Sequence, residues 1–162
     1  DDAVLEEEDR VVVGVLAALR RELLAYLVER SVERPDAALV PALDVARQLH
    51  ARGHAAVKAA VFPEEADVTW RARHAAERAR LQTDATGTEK ERYDRRRMRP
   101  VDAPAYATRT LLFELMTDVH STTKRFATEL LFALCENDAA EFSLRCGLGN
   151  AIAFLQTRHL MP

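Results

Sequence analysis

His50 and His54 stand at i, i+4 spacing, the separation at which two imidazoles on one helix face can share a metal ion. Gly53 falls between them and is expected to end the helix, and no third ligand stands nearby in the sequence, so no metal site is expected. Gly147-Leu148-Gly149 begins like a dinucleotide-binding turn. That motif needs a preceding strand and a third small residue, and Ile152 stands in its place. A junction between two helices is the expected reading. Cys135 and Cys146 have no CxxC partner and fall on apolar helix faces, so buried free thiols in a reducing compartment are expected. No serine or cysteine sits in a nucleophile elbow. The carboxylate clusters Glu6–Asp9 and Glu64–Glu65 read as a helix first turn and a loop rim. These residue types predict no covalent catalysis and no cofactor; a chain of this kind works by binding.

The conspicuous charge lies in residues 71–99, which hold ten Lys or Arg against five acids and few apolar side chains. Such a stretch buries too little surface to offset its ordering entropy. It reads as a charged inserted loop, with Trp70 anchoring its start. Arg95-Arg96-Arg97 could attract a nucleic acid or an anionic lipid surface. The acids interleave, however, Tyr93 alone makes no stacking platform, and the chain as a whole carries a net charge of -3. No nucleic-acid partner and no small-molecule substrate are expected. No apolar run approaches the roughly 20 residues of a membrane span, and no secretory leader opens the chain. It starts at Asp1 without a methionine, as an excised part of a longer protein would.

The elements that would position these groups are helical. With 162 residues, 48% hydrophobic and 6% aromatic, the chain suits one core of helices packed through small side chains. Val12, Leu16, Leu19, Leu23 and Leu27 recur at helical spacing in a long helix from Val4 to about Arg30, with Arg20, Arg21, Glu22 and Glu29 opposite. Pro41 suits a first helical turn leading through Leu43, Ala46 and Leu49 to a stop at Gly53. A short helix over about His54–Val61 closes at Phe62-Pro63. Helix resumes near Ala105, with Leu111, Leu112, Leu115, Met116 and Val119 on one face. Ser121 or Thr122 can cap the next helix, whose inner face is Phe126, Ala127, Leu130, Leu131, Leu134 and Cys135. Its other face carries Lys124, Arg125, Thr128, Glu129 and Glu136. Asp138 and Glu141 stand at capping-box spacing, Phe142 and Cys146 face inward, and Gly147 ends that helix. Asn150 is expected to cap the last one, with Ile152 and Leu155 inward.

This order predicts an all-α fold, an armadillo- or HEAT-like α-solenoid fragment with a charged inserted loop. One domain spans 1–162: first repeats over 4–63, the insertion over 64–104 and the last repeats over 105–162. In armadillo repeats a short helix precedes two longer antiparallel ones, and the third helices stack to line a concave groove. On that mapping Thr122–Glu136 is a third helix. Arg125, Glu129 and Ala133 point toward the groove, with Glu136 at its edge, and Asn150 joins them as a partner-binding candidate.

The run from Leu115 to Met161 resembles the last repeats of the synembryn family. The resemblance rests on Leu115-Met116-Thr117, on Ala127, Glu129, Leu130, Leu131, Phe132, Leu134 and Cys135, and on Gly147, Gly149, Asn150, Ala151, Leu155 and Met161. Leu39–Leu43, Ala56–Lys58 and Phe62-Pro63 resemble the family's preceding repeat in patches. Residues 71–99 show no resemblance, Leu148 replaces the usual tyrosine, and Ile152-Ala153 replaces Ala-Gly.

The resemblance implies a guanine-nucleotide exchange factor and folding chaperone for heterotrimeric G-protein α subunits, acting by binding and not as an enzyme. The GDP-bound or nucleotide-free α subunit would be held on the concave face. A cytoplasmic protein is implied, recruited to the plasma membrane or cell cortex through transient association of its partner. The alternative is a generic armadillo scaffold without exchange activity, binding some other helical peptide.

Overall fold

The computed structural model describes residues 2–29, 34–63 and 107–160, with side chains from Glu7 onward in the first stretch. The whole of the expected insertion over 64–104, with Trp70 and Arg71–Arg99, lies outside the described residues. Within them the fold is all-α, with seven helices and no strand.

Helix α1 spans Asp2–Leu23 and runs on into a π-helical turn, Leu24–Val28. Its inner face is the expected stripe: Val12, Leu19, Leu23 and Leu27 are buried, with Leu16 packed at the edge of the core. After a 3-10 turn at Pro35–Ala37, helix α2 spans Leu39–Ala51 and buries Leu39, Leu43, Ala46 and Leu49. Gly53 takes a φ of +93°, a conformation open to glycine at little cost, and the chain turns into α3, Ala55–Val61. Helix α4 spans Thr108–Leu115, α5 Ser121–Leu134, α6 Ala139–Cys146 and α7 Leu148–Thr157.

The packing pairs helices across the chain. α2 lies along α5, and α1 contacts α2, α3 and α4. Arg20 on α1 donates to the Thr108 hydroxyl on α4 (3.1 Å). At the other end, Phe132 of α5, Phe142 of α6 and Phe154 of α7 meet edge to face, with ring centres 5.2 to 5.6 Å apart. Such tilted pairs set positive ring edges against negative faces, which fixes the geometry of all three helices.

Several local expectations give way to stronger interactions. Val119 is 90% exposed, because α4 ends at Leu115 and Val119 lies in the following turn. Neither Ser121 nor Thr122 caps α5: the N-cap is His120, and no side chain accepts there. The turn is organised by Asp118, whose Oδ1 accepts from the His120 amide at 2.7 Å. Thr128 is buried and not solvated, since its hydroxyl donates to the Lys124 carbonyl one turn back. Asn150 does not cap α7. The N-cap is Gly147, and Asn150 sits within the first turn, where Nδ2 donates to the Cys146 carbonyl (3.0 Å). Starting α7 at Leu148 also turns Ile152 outward, leaving Ala151 and Leu155 as the buried pair.

Candidate partner-binding groove

Helix α5 presents Arg125, Glu129 and Ala133 as one stripe, because steps of four residues return to nearly the same direction on a 3.6-residue helix, and Glu136 lies just past its end, in the following turn with a φ of +56°. The structure divides that stripe between two settings. Arg125 and Glu129 lie in an open groove of about 390 Å³ between α5 and α7, lined also by Ser121, Lys124, Thr128, Ala153, Phe154, Thr157 and Arg158. The apolar part of this lining is continuous with the aromatic cluster through Phe154. On the rim, Arg158 Nη2 donates to Glu129 Oε1 at 3.2 Å, and the Arg158 guanidinium covers the Phe154 ring at 5.1 Å. Arg125 is exposed, with its guanidinium 5.1 Å from the Phe126 ring centre. Lys124, Arg125 and Arg158 against Glu129 leave the groove cationic, over an apolar floor.

The far half of the stripe is tied to the helices before it. The Ala133 carbonyl accepts from His50 Nε2 on α2 (3.1 Å), so Ala133 is half-buried against its neighbour. Glu136 accepts from Lys58 Nζ on α3 at 2.7 Å. That ammonium holds the Glu136 carboxyl below its usual value, against a smaller opposing effect of burial. Asn150 stands apart from the groove, at the α6–α7 junction.

Two polar constellations in the structure were not legible from spacing. Arg145, on the inner side of α6, is almost fully buried: its Nε donates to Glu141 Oε1 at 2.6 Å, and its guanidinium lies over Phe62. Glu141 is the capping-box acid, but only half the box forms. Asp138 Oδ1 accepts from the Glu141 amide at 2.9 Å, while the Glu141 carboxylate is engaged by Arg145. The second constellation is Tyr26, Asp118 and His120. The Tyr26 hydroxyl donates to Asp118 Oδ2 at 2.9 Å and lies 2.9 Å from His120 Nδ1. A carboxylate only accepts, so the tautomer with its proton on Nδ1 completes this set. The only signal for either was a charged or polar residue in an otherwise apolar register.

Among the described residues no three His, Cys, Asp or Glu side chains cluster to hold a metal ion. His50 turns its Nε2 to Ala133 and not toward a metal shared with His54. No described helix is long and apolar enough to cross a membrane. Cys135 and Cys146 are buried free thiols, and burial, followed by the neighbouring Cys135, pushes the Cys146 thiol well above its usual value.

Residues 93–162 match the family described as guanine nucleotide exchange factor synembryn. The match takes in α4 to α7 and every residue lining the groove; it begins inside the basic stretch and does not extend to Leu39–Pro63. No curated protein matches the chain. Over this C-terminal part, the chain is similar to the synembryn family.

Proposed function

We propose that this chain serves guanine-nucleotide exchange on the α subunits of heterotrimeric G proteins, and that α5 carries part of the surface that holds the α subunit. The family match over the helices that build the groove supports this reading most directly. A second support is the packing, in which α1 lies against α4 and α2 along α5. Helices of the same rank stacked side by side are the arrangement of an armadillo-type solenoid, in which each repeat buries its apolar face on the next.

In this reading exchange is differential binding. A protein that prefers the nucleotide-free conformation of its partner must weaken GDP by the same factor, since coupling between two ligands is reciprocal. A helix of the α subunit, its C-terminal one in our proposal, lies along the α5 stripe with apolar residues toward Phe154 and acidic ones toward Lys124 and Arg125. Nothing in this needs an acid, a base or a metal from the solenoid. The same preference for the open partner underlies a chaperone role. In this reading the protein works in the cytoplasm, at the membrane surface only while its partner is there.

The test is the rate of GDP release from purified α subunits, with the protein added in increasing amounts. Acceleration, with a stable complex once nucleotide is removed, supports the proposal. If release is unchanged and no complex with the GDP form is found, while another helical peptide binds the stripe, the scaffold reading replaces it.

A further inference from the structure

The outward face of α1 has a self-complementary pattern. Its inner side packs through Val12, Leu19 and Leu23. Opposite lie Glu7, Arg10, Gly14, Ala17 and Arg21, with Val11 on the flank of this face, all exposed and Val11 at 53%. Gly14 is the centre of this face. A mid-helix glycine weakens a helix relative to alanine, and among the described residues no close packing calls for it: a Cβ built at Gly14 meets no atom within 4 Å. The missing side chain therefore opens a flat spot on the outside of the helix, between Val11 and Ala17.

The charges on this face select an orientation. Seven residues before Gly14 stands Glu7, and seven residues after it stands Arg21. In an antiparallel pair of α1 helices related by a two-fold axis at Gly14, position 14 minus n faces position 14 plus n of the other copy. Glu7 then meets Arg21 at both ends, roughly 10 Å of helix from the centre. The two Gly14 backbones cross with no side chain between them. A parallel pair would set Glu7 against Glu7 and Arg21 against Arg21. In the single chain Arg21 reaches Glu22 (3.2 Å) and Arg10 reaches Glu7 (3.7 Å), both pairs widely open to solvent on the arginine side. Sharing these arginines with a second chain needs only rotamer changes.

We infer that the outward face of α1 is an interface for a second copy of this chain, an antiparallel homodimer crossing at Gly14 and framed by two Glu7–Arg21 ion pairs. The contact is isologous, as two-fold dimers require. It is small for a protein interface, so the dimer is weak and concentration-dependent. It leaves the α5–α7 groove uncovered and does not depend on the exchange reading.

Sedimentation velocity of the chain over a wide range of concentration tests this, with circular dichroism melts at low concentration to follow the monomer. A monomer–dimer equilibrium is expected. Gly14→Gln fills the flat spot, so it should abolish the dimer while leaving the melt unchanged or raised. Glu7→Arg and Arg21→Glu should each weaken dimerisation about tenfold, two rim ion pairs being lost at once. Combined in one chain they restore both pairs with sign reversed and should recover most of the affinity. A monomer at every concentration overturns the inference and leaves the face to another partner. So does a dimer indifferent to Gly14→Gln, or a double reversal no better than the single ones.

Discussion

The Arg145 guanidinium lies 4.6 Å above the centre of the Phe62 ring, joining α6 to the end of α3. The Arg145 side chain is 4% exposed and is held by Glu141 one turn earlier on its own helix. A buried cation is tolerated only when paired and hydrogen-bonded, and here a carboxylate and a ring face share that task. Arg145→Met keeps the apolar stem but strands the Glu141 carboxylate, and should cost about 2 kcal/mol in urea denaturation. Arg145→Lys should recover only part of this, since an ammonium lacks the flat face that stacks on a ring.

Tyr26→Phe removes a hydroxyl that links α1 to the α4–α5 turn through Asp118 and His120. The Asp118 side chain is only 9% exposed, so water replaces the lost donor poorly. A loss of about 1–2 kcal/mol is expected, seen as a lower urea midpoint at unchanged slope.

Gly147 ends α6 and starts α7 with φ +84° and ψ 136°. A residue with a Cβ is strained in this region, which suits glycine. Gly147→Ala should destabilise by about 1–3 kcal/mol, and near-ultraviolet dichroism should report loosening of the three-phenylalanine cluster.

The Lys58–Glu136 pair sets a pH dependence. Its folded carboxyl is depressed by the Lys58 hydrogen bond, so its contribution is present above the ordinary value of 4.5 and lost as pH falls through the lower folded value. The stability difference between the native chain and Glu136→Gln should therefore be present at neutral pH and vanish in acid. Because the Glu136 side chain is 67% exposed, the difference stays below about 1 kcal/mol and shrinks in high salt.

Arg125→Glu reverses an exposed charge on the groove without touching the core. If the α subunit docks there, complex formation should weaken about tenfold or more while the melting temperature stays put. Ala133→Arg, on the half-buried part of the same stripe, should weaken binding by obstruction. A full-strength complex with both variants would remove α5 from the interface.

The helices were legible where one periodic signal acted alone. Leu43, Ala46 and Leu49, or Leu130, Leu131 and Leu134, can face only one way, and they are buried. Asp138 announced the start of α6 because a carboxylate three residues before an amide has a local use. Reading failed where a polar residue had two possible partners. Ser121 could have capped α5, but Asp118 already holds the turn, and Asn150 could have capped α7, but the chain entered that helix at Gly147. That Arg125 and Glu129 share one face of α5 follows from helical phase. Their association with Arg158 and Phe154 depends on where α7 lies, which no local pattern encodes.

The π-helical turn at Leu24–Val28, closed by the Glu29 amide on the Leu24 carbonyl, changes what α1 can tolerate. A widened turn slips the phase of everything after it, so the two ends of one helix can be aimed at neighbours that lie in different directions. The front serves Leu19 and Leu23, and the rear delivers Tyr26 to Asp118. Length at this spot is therefore under tighter constraint than identity. Removing one residue would let the helix regain uniform pitch and swing Tyr26 away from its acceptor, whereas exchanging the exposed side chain of Val28 within the turn would pass unnoticed. Insertions and deletions, more than substitutions, are the changes to which this part of the chain is sensitive.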